Sequence, residues 1–200
     1  MSKLKQITEY LDEHNSLIKK ITKSRKLKSD ILNFIREGIS TIKNKRKIIF
    51  FGNGGSAADS QHLATELVVR YKKNRKSIPA LSLTTDTSML TAIGNDISFE
   101  SVFTRQLEAI ANKGDLIIPI STSGNSKNII SAVKYCLKNK INTIPLLGNN
   151  GGQISMLVKK KIIIPSNSTA RIQECHILIG HIFCEELEKN IILKQNNLSK

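Results

Sequence analysis

The side chains best suited to proton or metal chemistry fall in two segments. His62 and Glu66 stand four apart in a helical stretch, which places an imidazole and a carboxylate on one face, a turn from each other. Such a pair suits a shared metal ion. Gln173, Glu174, His176 and His181 fall in a second helical stretch, where imidazole, carboxylate and amide oxygen form a hard-to-borderline set suited to zinc. Gln173 and His181 are eight apart, however, or about 12 Å along a helix at 1.5 Å per residue. One continuous helix does not bring both to one ion, so a bend or a neighbouring subunit is required. His14 and His176 read as structural.

Two further segments have the character of anion cradles. Ile48-Ile49-Phe50-Phe51 runs into Gly52-Asn53-Gly54-Gly55-Ser56, and Leu116-Ile117-Ile118-Pro119-Ile120 runs into Ser121-Thr122-Ser123-Gly124-Asn125-Ser126. An apolar strand feeding a small-residue turn and then a helix offers backbone N–H groups, hydroxyls and the positive end of a helix to a phosphate. The serine turn holds no lysine or arginine, which suits a phosphomonoester that must be released again. Asn95-Asp96 follows Gly94 near an expected strand end and is a further candidate for the ligand. The first turn also fits G-x-G-x-x-A, but no acid stands about 20 residues on to hold a nicotinamide ribose, and the G-x-x-x-x-G-K-[ST] loop is absent.

The elements that must position these groups follow from hydrophobic periodicity. Residues 3–20 and 27–43 read as two amphipathic helices, with apolar Leu4, Ile7, Leu11 and Ile31, Ile35, Ile39, Ile42 at helical spacing. Strands are predicted near 47–51, 79–84, 115–120, 142–147 and 161–164. Helices are predicted near 56–71, 86–94, 98–112, 126–139, 151–158 and 169–190. The strands are continuous apolar runs, as expected where helices cover both faces of a parallel sheet. The fold class is α/β: one domain with a doubly wound, five-stranded parallel sheet in flavodoxin-like order 2-1-3-4-5. Residues 1–45 form the N-terminal helices, 46–192 the α/β core and 193–200 a polar tail. In that order strands one and three are neighbours, so Asn53 to Ser56 and Ser121 to Ser126 face one crevice beyond the strand carboxyl ends.

Composition narrows the function classes. The 200-residue chain can bury a core without disulfides or structural metal. Its three cysteines, Cys136, Cys175 and Cys184, form no C-x-x-C pair, which fits reduced, structural thiols. No apolar run reaches the roughly 18–20 residues of a membrane span and no apolar leader opens the chain, so a cytoplasmic location is expected. The net charge of +15 raises a nucleic-acid reading, but the lysines are scattered and lack interleaved aromatics, which argues against it.

These motifs together resemble the sugar isomerase domain family, and within it the phosphoheptose isomerases. The resemblance spans Gly52 to His62, Arg70-Tyr71, Pro79-Ala80, Gly94-Asn95-Asp96, Ser121 to Ser126 and Arg171-Ile172-Gln173-Glu174. It implies an aldose–ketose isomerase acting on sedoheptulose 7-phosphate, organised as a homotetramer with active sites at subunit interfaces. By the same resemblance His62, Glu66, Gln173 and His181 hold one zinc per subunit, and Glu66 and His181 are the acid/base pair. Substrate binding falls to Asn53, Gly54, Gly55, Ser56, Glu66, Asn95, Asp96, Ser121, Thr122, Ser123, Ser126 and Gln173. The pattern departs at Ala170, where some heptose isomerases carry an acid, so any role of that acid is unfilled. Relatives that bind the replication initiator without catalysis share both turns, and they define the alternative; they lack equivalents of Glu66 and His181, which this chain keeps.

Overall fold

The computed structural model describes residues 2–198, with side chains as far as Leu193. Two N-terminal helices, α1 (Lys3–Lys23) and α2 (Arg25–Lys43), meet at Ser24, whose N–H bonds back to Ile21 while its hydroxyl accepts the Leu27 N–H. One residue thus stops the first helix and caps the second. Strand β1 (Ile48–Gly52) leads to α3 (Gly55–Val68), then β2 (Ala80–Ser82), α4 (Thr87–Asp96), a short 3-10 turn (Phe99–Ser101) and α5 (Val102–Ile110). Next come β3 (Leu116–Ser121), α6 (Lys127–Lys138), β4 (Asn142–Thr143), β5 (Leu146–Gly148), α7 (Gly152–Leu157), β6 (Ile162–Ile164) and α8 (Thr169–Leu198).

The sheet is parallel throughout and runs β2-β1-β3-β5-β6, with β4 also paired to β3. The fourth expected strand is two pieces. Pro145 has no N–H to offer the ladder, so pairing lapses there, although its carbonyl still accepts from the Ile162 N–H at 3.0 Å. Counted as one strand, β4 and β5 give the expected order 2-1-3-4-5.

Successive β1 residues enter opposite cores, which is why the run is apolar without alternation. Ile48 and Phe50 pack with α1, α2, α3 and α8 residues, whereas Ile49 and Phe51 pack with residues of α4 to α7. Two expectations fail. Asn95 and Asp96 do not close a strand; they end α4, exposed, with the Asn95 amide donating to Asp96 at 2.8 Å. The tail expected from 193 is helical, since no glycine or proline stops α8 before Leu198, and the last two residues of that segment, Ser199 and Lys200, lie outside the described residues.

Candidate active site

The two phosphate-type turns lie side by side because β1 and β3 pair in register from Ile48↔Leu116 to Gly52↔Ile120. A reciprocal amide pair fastens them: Asn53 Nδ2 donates to Asn128 Oδ1 and Asn128 Nδ2 to Asn53 Oδ1, both at 2.9 Å. Asn128 is buried at the start of α6, and nothing in its local sequence marks it as the partner of Asn53, seventy-five residues away.

Within the first turn Gly54 adopts φ 55°, a left-handed conformation that favours glycine, and α3 begins with no side-chain cap. Ser56 is buried, its N–H bonded to the Asn53 carbonyl and its Cβ facing Gly52. The second turn is stabilised from inside and outside. Ser121 Oγ accepts the Gly124 N–H at 3.1 Å and Ser123 Oγ the Asn125 N–H at 3.2 Å, so each hydroxyl keeps its own proton for a ligand. Two of the backbone donors expected to face an anion are therefore engaged within the turn. Ser126 stands at the N-cap of α6 without capping it through its side chain, and Thr122 is partly exposed. The first turn of α7 supports the turn: Asn125 Oδ1 accepts the Gln153 N–H at 2.9 Å, and the Ile154 N–H donates to the Gly124 carbonyl at 3.0 Å.

Helices α3 and α8 carry the titratable groups and run alongside each other. Gln173 lies against Gly55, Gly180 against Leu63, His181 against His62, and Glu188 bonds to the Tyr71 N–H. Gly180 permits the approach: a Cβ there would stand 2.5 Å from a Leu63 methyl. At the middle of this contact His62 Nε2 lies 2.8 Å from His181 Nε2 and 3.4 Å from Glu66 Oε1. Tyr71 flanks His181, with ring centroids 5.6 Å apart.

The donor set fits a metal. One ligand atom from each of His62, Glu66 and His181 lies within 4.8 Å of the others, and two imidazoles with one carboxylate are a zinc-type set that leaves a position open. Burial and the neighbouring His62 lower the His181 pKa, against a smaller opposing effect of Glu66. A neutral imidazole is the form that binds metal or accepts a proton. Gln173 stands elsewhere. Helix α8 is continuous, and Gln173 sits at the end of the groove by Gly55, seven residues or about 10 Å along α3 from His62. One chain thus gathers three of the four expected ligands.

Asp59 escaped the sequence reading although it shares the α3 face of His62 and Glu66. Burial raises its carboxyl from 3.8 to about 6, with His62 opposing, and its Oδ2 is buried without a hydrogen-bond partner. His176 packs in the interior with Nε2 3.0 Å from the Leu147 carbonyl, and His14 pairs with Glu174.

The sequence matches the SIS domain family over residues 9–148. It is 48% identical over 187 residues to a phosphoheptose isomerase of a Nitratiruptor species, spanning 94% of this chain and 99% of that one. The fold superposes on phosphoheptose isomerases of Francisella tularensis, with TM-score 0.90 and 30% identity, and Neisseria gonorrhoeae, with TM-score 0.88 and 37% identity. Each superposition covers 94% of this chain and 100% of the other. The fold and these relatives together define the class of protein as an isomerase. The chain belongs to the SIS-domain family and, within it, to the phosphoheptose isomerases.

Proposed function

We propose that the protein interconverts sedoheptulose 7-phosphate and D-glycero-D-manno-heptose 7-phosphate through an enediol. The observation that carries the reading is the convergence of Glu66 and His181, from separate helices, beside two turns suited to a sugar phosphate. The phosphate sits at Ser121, Thr122, Ser123 and Ser126, held by neutral hydroxyls and the start of α6. The turn from Asn53 to Gly55, with Asn95 and Asp96, orients the carbon chain. The Glu66 carboxylate takes the proton from C1 of the ketose and returns it to C2, while His181 moves the proton between the two oxygens. A carboxylate and a neutral imidazole together can do this without either reacting group leaving its helix.

His62, Glu66 and His181 would hold zinc, with Gln173 completing the set across a subunit interface, as its separation on α8 requires. When bound, zinc would polarise the sugar carbonyl. Leu4, Ile7 and Leu11 form an exposed apolar stripe along α1, which supports a homotetramer with the N-terminal helices against neighbouring copies. No helix among the described residues is long and apolar enough to cross a membrane, and we place the enzyme in the cytoplasm. Its product would feed nucleotide-activated heptose for lipopolysaccharide or capsule.

The test is nuclear magnetic resonance of the purified protein with sedoheptulose 7-phosphate in heavy water. Aldose product carrying deuterium at C2 is expected, and Glu66→Gln abolishes both. Retained turnover in Glu66→Gln would remove Glu66 as the base. Absence of turnover in the wild type with zinc, together with capture of the replication initiator, would favour the adaptor alternative.

A further inference from the structure

Glu188 lies on α8 seven residues beyond His181, two helical turns on and along the same side. Its side chain is buried, yet it is surrounded by donors: the backbone N–H groups of Tyr71, Lys72 and Lys73 at 3.0, 2.9 and 2.9 Å, and Arg75 Nε in ion-pair contact at 3.3 Å. Burial alone would raise the Glu188 pKa, but these donors and the guanidinium outweigh it and hold the carboxyl below its ordinary value. The Arg75 side chain is fully enclosed and turns its other nitrogens to the end of α3, where Nη2 donates to the Glu66 carbonyl at 2.8 Å and Nη1 to the Leu67 carbonyl at 2.7 Å. These carbonyls belong to the last turn of α3, beyond the reach of further helical N–H groups; the Leu67 carbonyl also accepts the Ile78 N–H at 3.1 Å.

One guanidinium therefore joins the backbone of Glu66 to a buried carboxylate on the helix of His181. Apart from the buried Ile78, the loop from Val69 to Pro79 is mostly exposed or half-buried, and burying two charges there is costly: Arg75 Nε is enclosed without a hydrogen bond and meets Glu188 only as an ion pair. Glu188 is buried in the body of α8, so the pair ties the end of α3 to the body of the helix that carries His181.

We propose that the Arg75–Glu188 pair is a positioning device that fixes α3 against α8 and so sets where His62, Glu66 and His181 meet. The inference rests on the reading of those three residues as the metal and acid/base site. Neither Arg75 nor Glu188 touches the reacting atoms; both act through the backbone of Glu66 and the placement of α8.

The experiment uses the full chain, stripped of metal, as wild type, Arg75→Lys, Glu188→Gln and the control Lys189→Ala, whose side chain forms only exposed ion pairs with Glu185 and Glu186. Folding is verified by circular dichroism. Calorimetric titration with zinc is expected to show affinity reduced by about 10- to 100-fold in the first two variants, as for lost supports of metal ligands elsewhere, and unchanged in the control. The visible spectrum of the cobalt-loaded protein should shift in the same two. In the metal-free state, nitrogen and proton resonances of the His62 and His181 rings should lose their mutual contact.

If Glu188→Gln fails to fold, Arg75→Lys carries the test, since it keeps a charge opposite Glu188 and removes the fork to the Glu66, Leu67 and Lys76 carbonyls. Folded Arg75→Lys with wild-type zinc affinity and unchanged ring resonances would overturn the proposal. A wild type that binds no zinc would instead refute the metal reading, and the ring contact in metal-free protein would still decide the role of the pair.

Discussion

Replacing Gly55 by alanine should separate activity from stability. Gly55 opens α3 outside the left-handed region, so a side chain there meets no backbone strain. The added Cβ would stand 2.5 Å from Gln173 Nε2, 2.9 Å from its Cδ and 3.0 Å from its Oε1. These atoms end a flexible side chain, and the amide must retreat by about 1 Å to reach ordinary contact near 3.5 Å. Alanine at a helical position gains up to about 0.5–1 kcal/mol over glycine, which offsets the cost of the shift and leaves the melting temperature level or slightly raised. A misplacement of about 1 Å in a positioned group costs on the order of 100-fold in rate. That equals about 2.7 kcal/mol of transition-state stabilisation at 1.36 kcal/mol per tenfold. The assay is kcat/KM for sedoheptulose 7-phosphate beside a thermal melt. Gly52→Ala supplies the contrast, because its Cβ would lie 2.7 Å from both the Cβ and the backbone carbonyl oxygen of Ser56, and it should lose stability instead. Unchanged kcat/KM in a folded Gly55→Ala would refute a working role for the Gln173 amide at this place.

Asn128→Ala breaks the amide pair with Asn53 and should cost about 1–3 kcal/mol in a denaturant melt while raising KM, because the turns lose their tie. Equal KM would mean the pair serves folding alone. His176 is held neutral: burial lowers its pKa from 6.5 to about 4, so the unfolded chain takes up a proton in this window that the folded chain refuses. Stability should therefore fall as pH drops from 6.5 towards 4, by about 3 kcal/mol in full, and His176→Gln should flatten this part of the profile. Parallel profiles would show that another group sets the acid limit. Zinc at a hundred times its dissociation constant should raise stability by about 2.7 kcal/mol, with reversal by chelator and no effect in His181→Gln. A retained shift in that variant would place the ion elsewhere.

Much of the frame is legible in the chain because it follows from local chemistry. Apolar runs such as Ile48 to Phe51 declare strands covered on both faces, and the turns after Gly52 and Ile120 declare themselves by small residues after a strand. The four-residue spacing of His62 and Glu66 puts both on one helix face whatever the rest of the fold does. The spacing of Gln173 and His181 likewise announces that one straight helix cannot bring them together, and α8 is indeed continuous. Local pattern fails where one residue overrides its neighbours. The apolar run from Ile144 to Leu147 hides the break at Pro145, and the polar end of the chain hides the continuation of α8 to Leu198.

What the sequence determined by itself is therefore the set of elements, the two turns and the candidate ligands, since these depend on contacts within a few residues. The tertiary structure decided which of them meet. His181 reaches His62 only because Gly180 admits Leu63, Asn53 is fixed only by Asn128, and Glu66 is held from behind by Arg75 and Glu188. Each of these contacts except the Arg75–Glu66 link joins residues separated by seventy-five or more positions. No local propensity encodes them; they exist because the parallel sheet lays α3 and α8 side by side and buries the polar groups that then need each other.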